Sequence, residues 1–203
     1  MDNTKTTTMR TSVDETSTKV KRIALAGLFA ALSYIGFAFF KIDISVGGGK
    51  TACHFANSFV VLAALFLGGP VGGLAGGIGL SIADLTSGYA TSAPLTFILK
   101  FFIGFITGTV AHKAFRINEI KDGKKLAAAT IVSSIAGLGF NVVADPTLGY
   151  LYHRIFFGME STGAALLAKF ASLTTTVNAL ISVTVATILY LLLRPALRKA
   201  DLI

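Results

Sequence analysis

The chain has 203 residues, of which 53% are hydrophobic and 14% are charged, and its mean hydropathy is +0.73. This composition excludes an ordinary soluble domain and is typical of an integral membrane protein. A formal net charge of +8 would suit a nucleic-acid-binding protein. The basic residues, however, are concentrated beside particular ends of the apolar runs, as in membrane proteins, so we expect no nucleic-acid partner.

Six apolar runs predict an all-α membrane protein with six transmembrane helices in a compact bundle. The runs cover residues 23–40, 55–67, 71–85, 93–110, 126–143 and 164–193. The second and third runs are short for a span, which needs about 20 residues. Because only Gly68-Gly69-Pro70 separates them, we expect them either to reach the inner surface together or to lie inside the bundle.

The segments around these runs predict the domain boundaries and the orientation. Residues 1–20 are polar and rich in threonine, so we expect a disordered cytoplasmic tail before a single membrane domain at 21–203. Thirteen Lys and Arg residues lie before helix one, between helices four and five, and after helix six, whereas the opposite loops contain Lys41, Lys50 and Arg154. The positive-inside rule then predicts that both termini lie inside.

The first apolar run has a face of small residues. Ala26 and Ala30 are four residues apart, as are Gly27 and Ala31, so another helix backbone can approach this face closely. The spacing by itself leaves open whether the partner is another helix of this chain or a separate protein.

The loop at residues 41–54 is longer than a connection between two helices requires. Gly47-Gly48-Gly49 gives it conformational freedom, and Lys50 and His54 follow at its end. We therefore predict either a lid over a binding site or a loose outer loop. Asn57, one turn into the next run, is a candidate for a buried polar contact.

The stretch from Gly68 to Lys100 combines closely spaced glycines with two charged residues, Asp84 and Lys100. Gly72 and Gly76, and likewise Gly73 and Gly77, are spaced for close helix packing. Lys100 lies about 9 Å along the fourth helix from its outer end. A charge at that depth is costly, so Lys100 either pairs with Asp84 or faces a polar cavity.

The last two runs add polar groups at the same outer depth. Asn141 and Asp145 share one helix face, and Asn178 lies at a similar height in the last run. Lys169 either lines the same pocket or extends outward to the membrane surface. Because the polar groups occupy only the outer halves of the helices, we predict a binding pocket rather than a channel or a carrier with its site at the midplane.

Enzymatic chemistry is not indicated. The sequence has no H-E-x-x-H, G-x-S-x-G or Walker A motif and no acidic cluster, so we predict no catalytic residue, no metal and no cofactor. Energy for active transport would have to come from a partner, because the chain carries no ATPase motif.

The sequence resembles the substrate-binding (S) components of energy-coupling factor (ECF) vitamin transporters over nearly everything after Lys21. The resemblance rests on the small residues of the first run, on the run from Asn57 to Pro70, and above all on one spaced pattern. That pattern consists of Ala83-Asp84-Leu85, Gly88-Tyr89, Ala93-Pro94, Thr96 and Lys100. It is similar to the subgroup linked to hydroxymethylpyrimidine and pyridoxine, although Ser92 stands where such members often have a tryptophan.

The resemblance implies a bacterial cell-membrane protein that binds a vitamin outside and works with a transmembrane coupling subunit and two ATPases. It implies that the small-residue face, Ala26, Gly27, Ala30 and Ala31, contacts the coupling subunit. The candidate vitamin-binding residues are Lys50, His54, Asn57, Asp84, Tyr89, Thr96, Lys100, Asn141, Asp145, Lys169 and Asn178. Pantothenate is the alternative vitamin, and a stand-alone secondary transporter is the alternative class.

Overall fold

The computed structural model describes residues 3–203, with side chains described from Thr16 onward. Within this part of the chain, six α-helices and one two-stranded hairpin form the fold. The elements in order are α1 (Asn3–Ala38), β1 (Ile42–Val46), β2 (Gly49–Cys53), α2 (Asn57–Leu67), α3 (Gly69–Thr86), α4 (Ala93–Thr109), α5 (Gly123–Phe156) and α6 (Ser161–Lys199). The predicted helical class is confirmed, with a short hairpin in addition.

Four helical segments in the described residues are long and apolar enough to cross a membrane. They are Thr16–Ala38, Ala90–Ala114, Gly123–Phe156 and Ser161–Lys199. These segments support a multi-pass membrane protein. The predicted total of six spans and the orientation with both termini inside stay predictions.

α1 begins at Asn3, so the backbone is helical where the sequence suggests a tail without apolar periodicity. The side chains of residues 1–15 lie outside the described residues. The predicted boundary between a tail at 1–20 and a domain at 21–203 stays a prediction.

The short helix α2 lies inside the bundle. It has 11 residues, and all of them except Phe59 are buried. It packs against α1, α3, α4 and α6. Of the two alternatives for the short runs, α2 therefore follows the second and forms the core around which the longer helices are arranged.

Glycines allow α3 to pack closely between α2 and α4. A Cβ atom added to Gly72 would lie 2.3 Å from the Cα of Ala64 in α2, and one added to Gly73 would lie 2.5 Å from the carbonyl oxygen of Phe101 in α4. Both distances are far below van der Waals contact. The predicted role of these glycines in helix packing is confirmed at these positions.

The segment predicted as a lid or a loose loop forms an antiparallel hairpin. Ile42 pairs with Cys53 and Val46 pairs with Gly49. Gly47 and Gly48 have φ angles of 63° and 80°, as a tight two-residue hairpin turn requires. The hairpin lies against the N-terminal part of α6, where Gly47 approaches the backbone of Gly163.

Candidate functional site

A cavity of about 120 Å³ lies beneath the hairpin, between the C-terminal parts of α3 and α5 and the N-terminal parts of α4 and α6. Its walls contain nine of the eleven candidate residues from the sequence. These nine are Lys50, His54, Asn57, Asp84, Tyr89, Thr96, Lys100, Asp145 and Asn178. Residues that lie up to 128 positions apart in the chain therefore meet at one site.

Two predicted site residues lie elsewhere. Asn141 is buried, but it is not part of the cavity wall, and its Oδ1 atom has no hydrogen-bond partner among the described residues. Lys169 is exposed on α6 and also does not line the cavity. The exposed position of Lys169 agrees with the second of its two predicted roles, in which the side chain extends away from the pocket.

Lys100 and Asp84 are the most deeply buried charged residues of the cavity wall, with 8% and 4% of their surfaces exposed. No ion pair within 4.0 Å joins Lys100 to a described carboxylate, although Asp84 and Asp145 both line the same cavity. Thr175 donates a hydrogen bond of 2.5 Å to Asp145. The Lys100 ammonium is therefore available as a donor to a molecule in the cavity.

The hairpin is attached to α6 through the side-chain amide of Asn178 and through a contact between two threonine hydroxyls. Asn178 donates to the carbonyl oxygen of Ala52 at 2.9 Å, and its Oδ1 accepts the backbone N–H of His54 at 2.8 Å. The hydroxyls of Thr51 and Thr174 lie 2.7 Å apart. Because both ends of the Asn178 amide bond the hairpin, this residue holds the roof of the cavity in position.

A second attachment joins the hairpin to the loop between α3 and α4. The Tyr89 hydroxyl donates to Asp43 at 2.8 Å and lies 3.1 Å from the carbonyl oxygen of Thr51. Lys41 forms an ion pair with Asp43 at 2.6 Å and lies over the Tyr89 ring, 5.2 Å from its centroid. Partial burial acts to raise the pKa of Asp43, but its hydrogen bonds with Lys41 and Tyr89 outweigh burial and lower it.

His54 lies in the cavity wall just before α2. Its Nδ1 accepts the backbone N–H of Ala56 at 3.2 Å. Burial, and secondarily the charge of Lys100, lower the pKa of His54 to about 3. The ring is therefore neutral at physiological pH, and its proton lies on Nε2.

Sequence reasoning missed three contributors to this site. Asp43 and Lys41 act through the hairpin, and His153 lines the cavity from the C-terminal part of α5. The alternation of Ile42, Ile44 and Val46 was a signal for a strand, and a strand places Asp43 on the face opposite to them. Nothing in the sequence distinguishes His153 from an aromatic residue of the outer loop.

The four small residues of α1 do not share one environment. Ala30 faces inward, because a Cβ atom on Gly79 of α3 would lie 3.0 Å from the Cα of Ala30, and Ala26 is half-buried. Gly27 and Ala31 are exposed, and a Cβ atom on Gly27 would meet nothing within 4 Å. The outward part of the small-residue face thus consists of Gly27 and Ala31.

The helical bundle, with a roofed cavity lined by charged and polar groups, has the architecture of a membrane-embedded binding protein. A model of the family described as ECF-type riboflavin transporter, S component, matches residues 17–195. The chain belongs to this family of vitamin-transporter S components, and it is a transporter component rather than an enzyme. No curated protein and no solved structure matches the chain.

Proposed function

We propose that this chain is the vitamin-binding S component of a bacterial ECF importer and that its ligand is a small heteroaromatic vitamin, hydroxymethylpyrimidine or pyridoxine. The ligand enters from the outside and occupies the cavity beneath the hairpin. The observation that carries this proposal is the cavity itself, which combines a volume of about 120 Å³ with an unpaired lysine and two carboxylates.

Cavity size favours a ligand with one ring. An engineered protein cavity of about 150 Å³ accommodates benzene, whereas sites for drug-sized ligands have about 300 to 1,000 Å³. A pyridine or pyrimidine with short substituents matches the first value. Riboflavin, which the family description names, has three fused rings and a sugar-alcohol chain. It is the second candidate, and it would require the hairpin and the α5–α6 wall to move outward.

The polar groups favour a neutral, hydroxylated ligand. Lys100 offers donors, while Asp84, Asp145 and the unpartnered Oδ1 of buried Asn57 offer acceptors. A ligand with ring nitrogen and hydroxyl groups has both kinds of partner. A carboxylate such as that of pantothenate would gain from Lys100, but it would be repelled by Asp84 and Asp145 in the same cavity.

The remaining parts of the proposal concern transport. ECF S components work with a membrane coupling subunit and ATPases, and we propose that this chain contacts the coupling subunit through the small-residue face of α1. Six membrane-embedded helices with both termini in the cytoplasm agree with the distribution of Lys and Arg. In this orientation, the hairpin faces the outside and covers the vitamin.

Mass spectrometry of small molecules that co-purify with the detergent-solubilised chain tests the ligand directly. Calorimetric titration with pyridoxine, hydroxymethylpyrimidine, pantothenate and riboflavin then ranks the candidates. We expect submicromolar binding of a one-ring vitamin. Tight binding of riboflavin alone would overturn the ligand proposal while leaving the S-component assignment, and binding of none of the four would overturn the vitamin class.

A further inference from the structure

A second and larger cavity lies at the opposite end of the bundle from the hairpin. Its volume is about 550 Å³. Its walls come from α1, the junction between α2 and α3, the end of α4 and the C-terminal residues. The vitamin site does not use this cavity, which we call the lower cavity.

The charges lining the lower cavity are mainly positive. Lys21, Arg22 and Lys113 line it, together with His112, and Asp201 contributes the acidic side chain among the described lining residues. Arg22 donates to the carbonyl oxygen of Leu67 at 2.9 Å, which holds its guanidinium against the end of α2. The cavity therefore presents fixed positive charge at one end of a membrane protein.

The start of α3 adds backbone donors to the same place. α3 has 18 residues, no side chain caps its N-terminus, and Gly68 and Gly69 line the cavity. The first N–H groups of a helix lack intrahelical partners and favour an anion. Here Gly69 and Val71 supply them, because the Gly68 N–H donates to Ala64 and Pro70 has no N–H. The positive side chains and the helix start thus favour the same kind of ligand.

An anionic group of the chain itself already occupies part of the cavity. Asp201 forms an ion pair with Lys21 at 2.7 Å, but the Asp201 side chain is 93% exposed. An exposed ion pair contributes little stability, because water screens it. An anionic ligand can therefore compete with the Asp201 carboxylate for Lys21, which also donates to the Asp201 carbonyl oxygen at 2.8 Å.

An apolar wall rises from the lower cavity along α4. Phe105 lines the cavity, and its ring stacks on Phe101 with the centroids 5.8 Å apart. Phe102, beside both rings, is 40% exposed. A basic cavity that continues into exposed phenylalanines fits a molecule with an anionic head and an apolar chain.

We propose that the lower cavity binds the phosphate group of an anionic phospholipid, with the acyl chains along the phenylalanines of α4. Basic pockets between membrane helices recognise lipid head groups in this way. The proposal requires only that this end of the bundle lies at a membrane surface. It does not depend on which vitamin is bound by the cavity beneath the hairpin, which we call the upper cavity.

The test uses the full chain, delipidated in a neutral detergent and titrated by native mass spectrometry with dioleoylphosphatidylglycerol, dioleoylphosphatidylcholine or inorganic phosphate. We expect phosphatidylglycerol to bind at least tenfold more tightly than phosphatidylcholine. Equal binding of the two lipids would overturn the proposal. Inorganic phosphate binding as tightly as phosphatidylglycerol would make a free phosphate the ligand and overturn the lipid assignment.

A lysine double variant tests whether the basic residues of the lower cavity bind the lipid. Lys21→Gln with Lys113→Gln should weaken phosphatidylglycerol binding about tenfold or more, because each basic residue near a membrane surface contributes to anion attraction. Lys124→Gln with Lys125→Gln, which removes the same charge from exposed residues outside the cavity, is the matched control.

Asp201→Asn should instead strengthen phosphatidylglycerol binding, because it removes the competing carboxylate. A misfolded protein would not bind more tightly, so this result cannot arise from structural damage. Unchanged or weaker binding by Asp201→Asn, or equal losses in the two lysine pairs, would overturn the proposal. A chain that binds phosphatidylglycerol selectively but none of the vitamins would overturn only the proposed vitamin function.

Discussion

At the scale of single residues, Lys100 carries the most specific consequence. Its ammonium is buried, lines the upper cavity and has no ion pair with Asp84 or Asp145 within 4.0 Å. A buried charge without a counter-charge is costly to the fold. A bound ligand that accepts a hydrogen bond from the ammonium would offset this cost. We therefore interpret Lys100 as a ligand-binding residue and not as a residue that only packs between helices.

Lys100→Met should lower vitamin affinity about ten- to a hundredfold, because a hydrogen bond from a charged group contributes about 1.5 to 3 kcal/mol. The melting temperature of the ligand-free protein should stay the same or rise, since a buried charge is removed. Calorimetric titration and thermal unfolding measure the two effects. Lys169→Met, on the exposed side of α6, is the matched control, and equal affinity loss in both variants would contradict the ligand role of Lys100.

Tyr89→Phe should speed the release of ligand. The substitution removes the hydroxyl that bonds Asp43 and lies 3.1 Å from the carbonyl oxygen of Thr51, and with it an attachment of the hairpin. Asp43 is ionised in its pair with Lys41, and a hydrogen bond to a charged group contributes about 1.5 to 3 kcal/mol, so we expect the dissociation rate to rise about ten- to a hundredfold. Stopped-flow displacement measures this rate. Tyr150→Phe is the control, and the same rate in both variants would argue against a closing role for Tyr89.

At the scale of elements, the hairpin and α1 have separate roles. The hairpin bonds to α6 through Asn178 and to the α3–α4 loop through Tyr89, so it can close the cavity only when both contacts form. α1 packs against α3, and Phe37 is its contribution to the wall of the upper cavity. Changes in the hairpin should therefore affect binding, and changes on the outer face of α1 should affect assembly.

Ligand should slow hydrogen exchange in residues 42–53. A bound molecule contacts the hairpin from below and stabilises its closed position, which protects the strand amides. Exchange measured by mass spectrometry with and without saturating vitamin tests this expectation, and residues 115–122 at the opposite end serve as the internal reference. Identical exchange of the hairpin in both states would show that it does not act as a lid.

Gly27→Trp with Ala31→Trp should abolish complex formation with the coupling subunit, and with it uptake, while the isolated chain keeps its vitamin affinity. Both positions are exposed, so the indole rings extend outward from the fold. Co-purification with the coupling subunit and cellular uptake are the measurements. Leu28→Trp, also exposed on α1, is the control for added bulk. Normal assembly of the double variant would exclude this face as the interface.

The pair Ala26 and Ala30 should behave differently from Gly27 and Ala31. Ala30 lies against Gly79 of α3, so a tryptophan there would push α1 away from α3. We expect Ala30→Trp to lower the melting temperature, whereas the outward pair should leave it nearly unchanged. The sequence spacing could not separate the two pairs, because both satisfy the same four-residue repeat.

At the scale of the whole molecule, the sequence predicted more of the site than of the fold's details. Burial cost identified Asp84 and Lys100, and both line the upper cavity. The hairpin was not predicted, although the alternation of Ile42, Ile44 and Val46 and the glycines of its turn are local signals for it. Its attachment to α6 could not be predicted, because the contacts are remote in sequence. For α2, hydropathy could not distinguish a membrane span from a core helix, since both are apolar on all sides, and only the short length of the run pointed to the core.

Labelling with a membrane-impermeant maleimide tests the proposed orientation of the whole molecule. In a Cys53→Ser background, Lys121→Cys should react only after the membrane is permeabilised, and Ser161→Cys should react in intact cells. Both native residues are exposed, so accessibility is decided by the side of the membrane. The reverse pattern would invert the topology and place the hairpin in the cytoplasm.

The buried position of α2 also has a consequence for biogenesis. α2 is made early, but α6, one of the helices that it packs against, is made after the other described helices. With 11 residues, α2 is too short to wait in the bilayer as a conventional span. We therefore expect the packing around α2 to be completed only when α6 arrives, and a chain truncated before α6 should be degraded by membrane quality-control proteases.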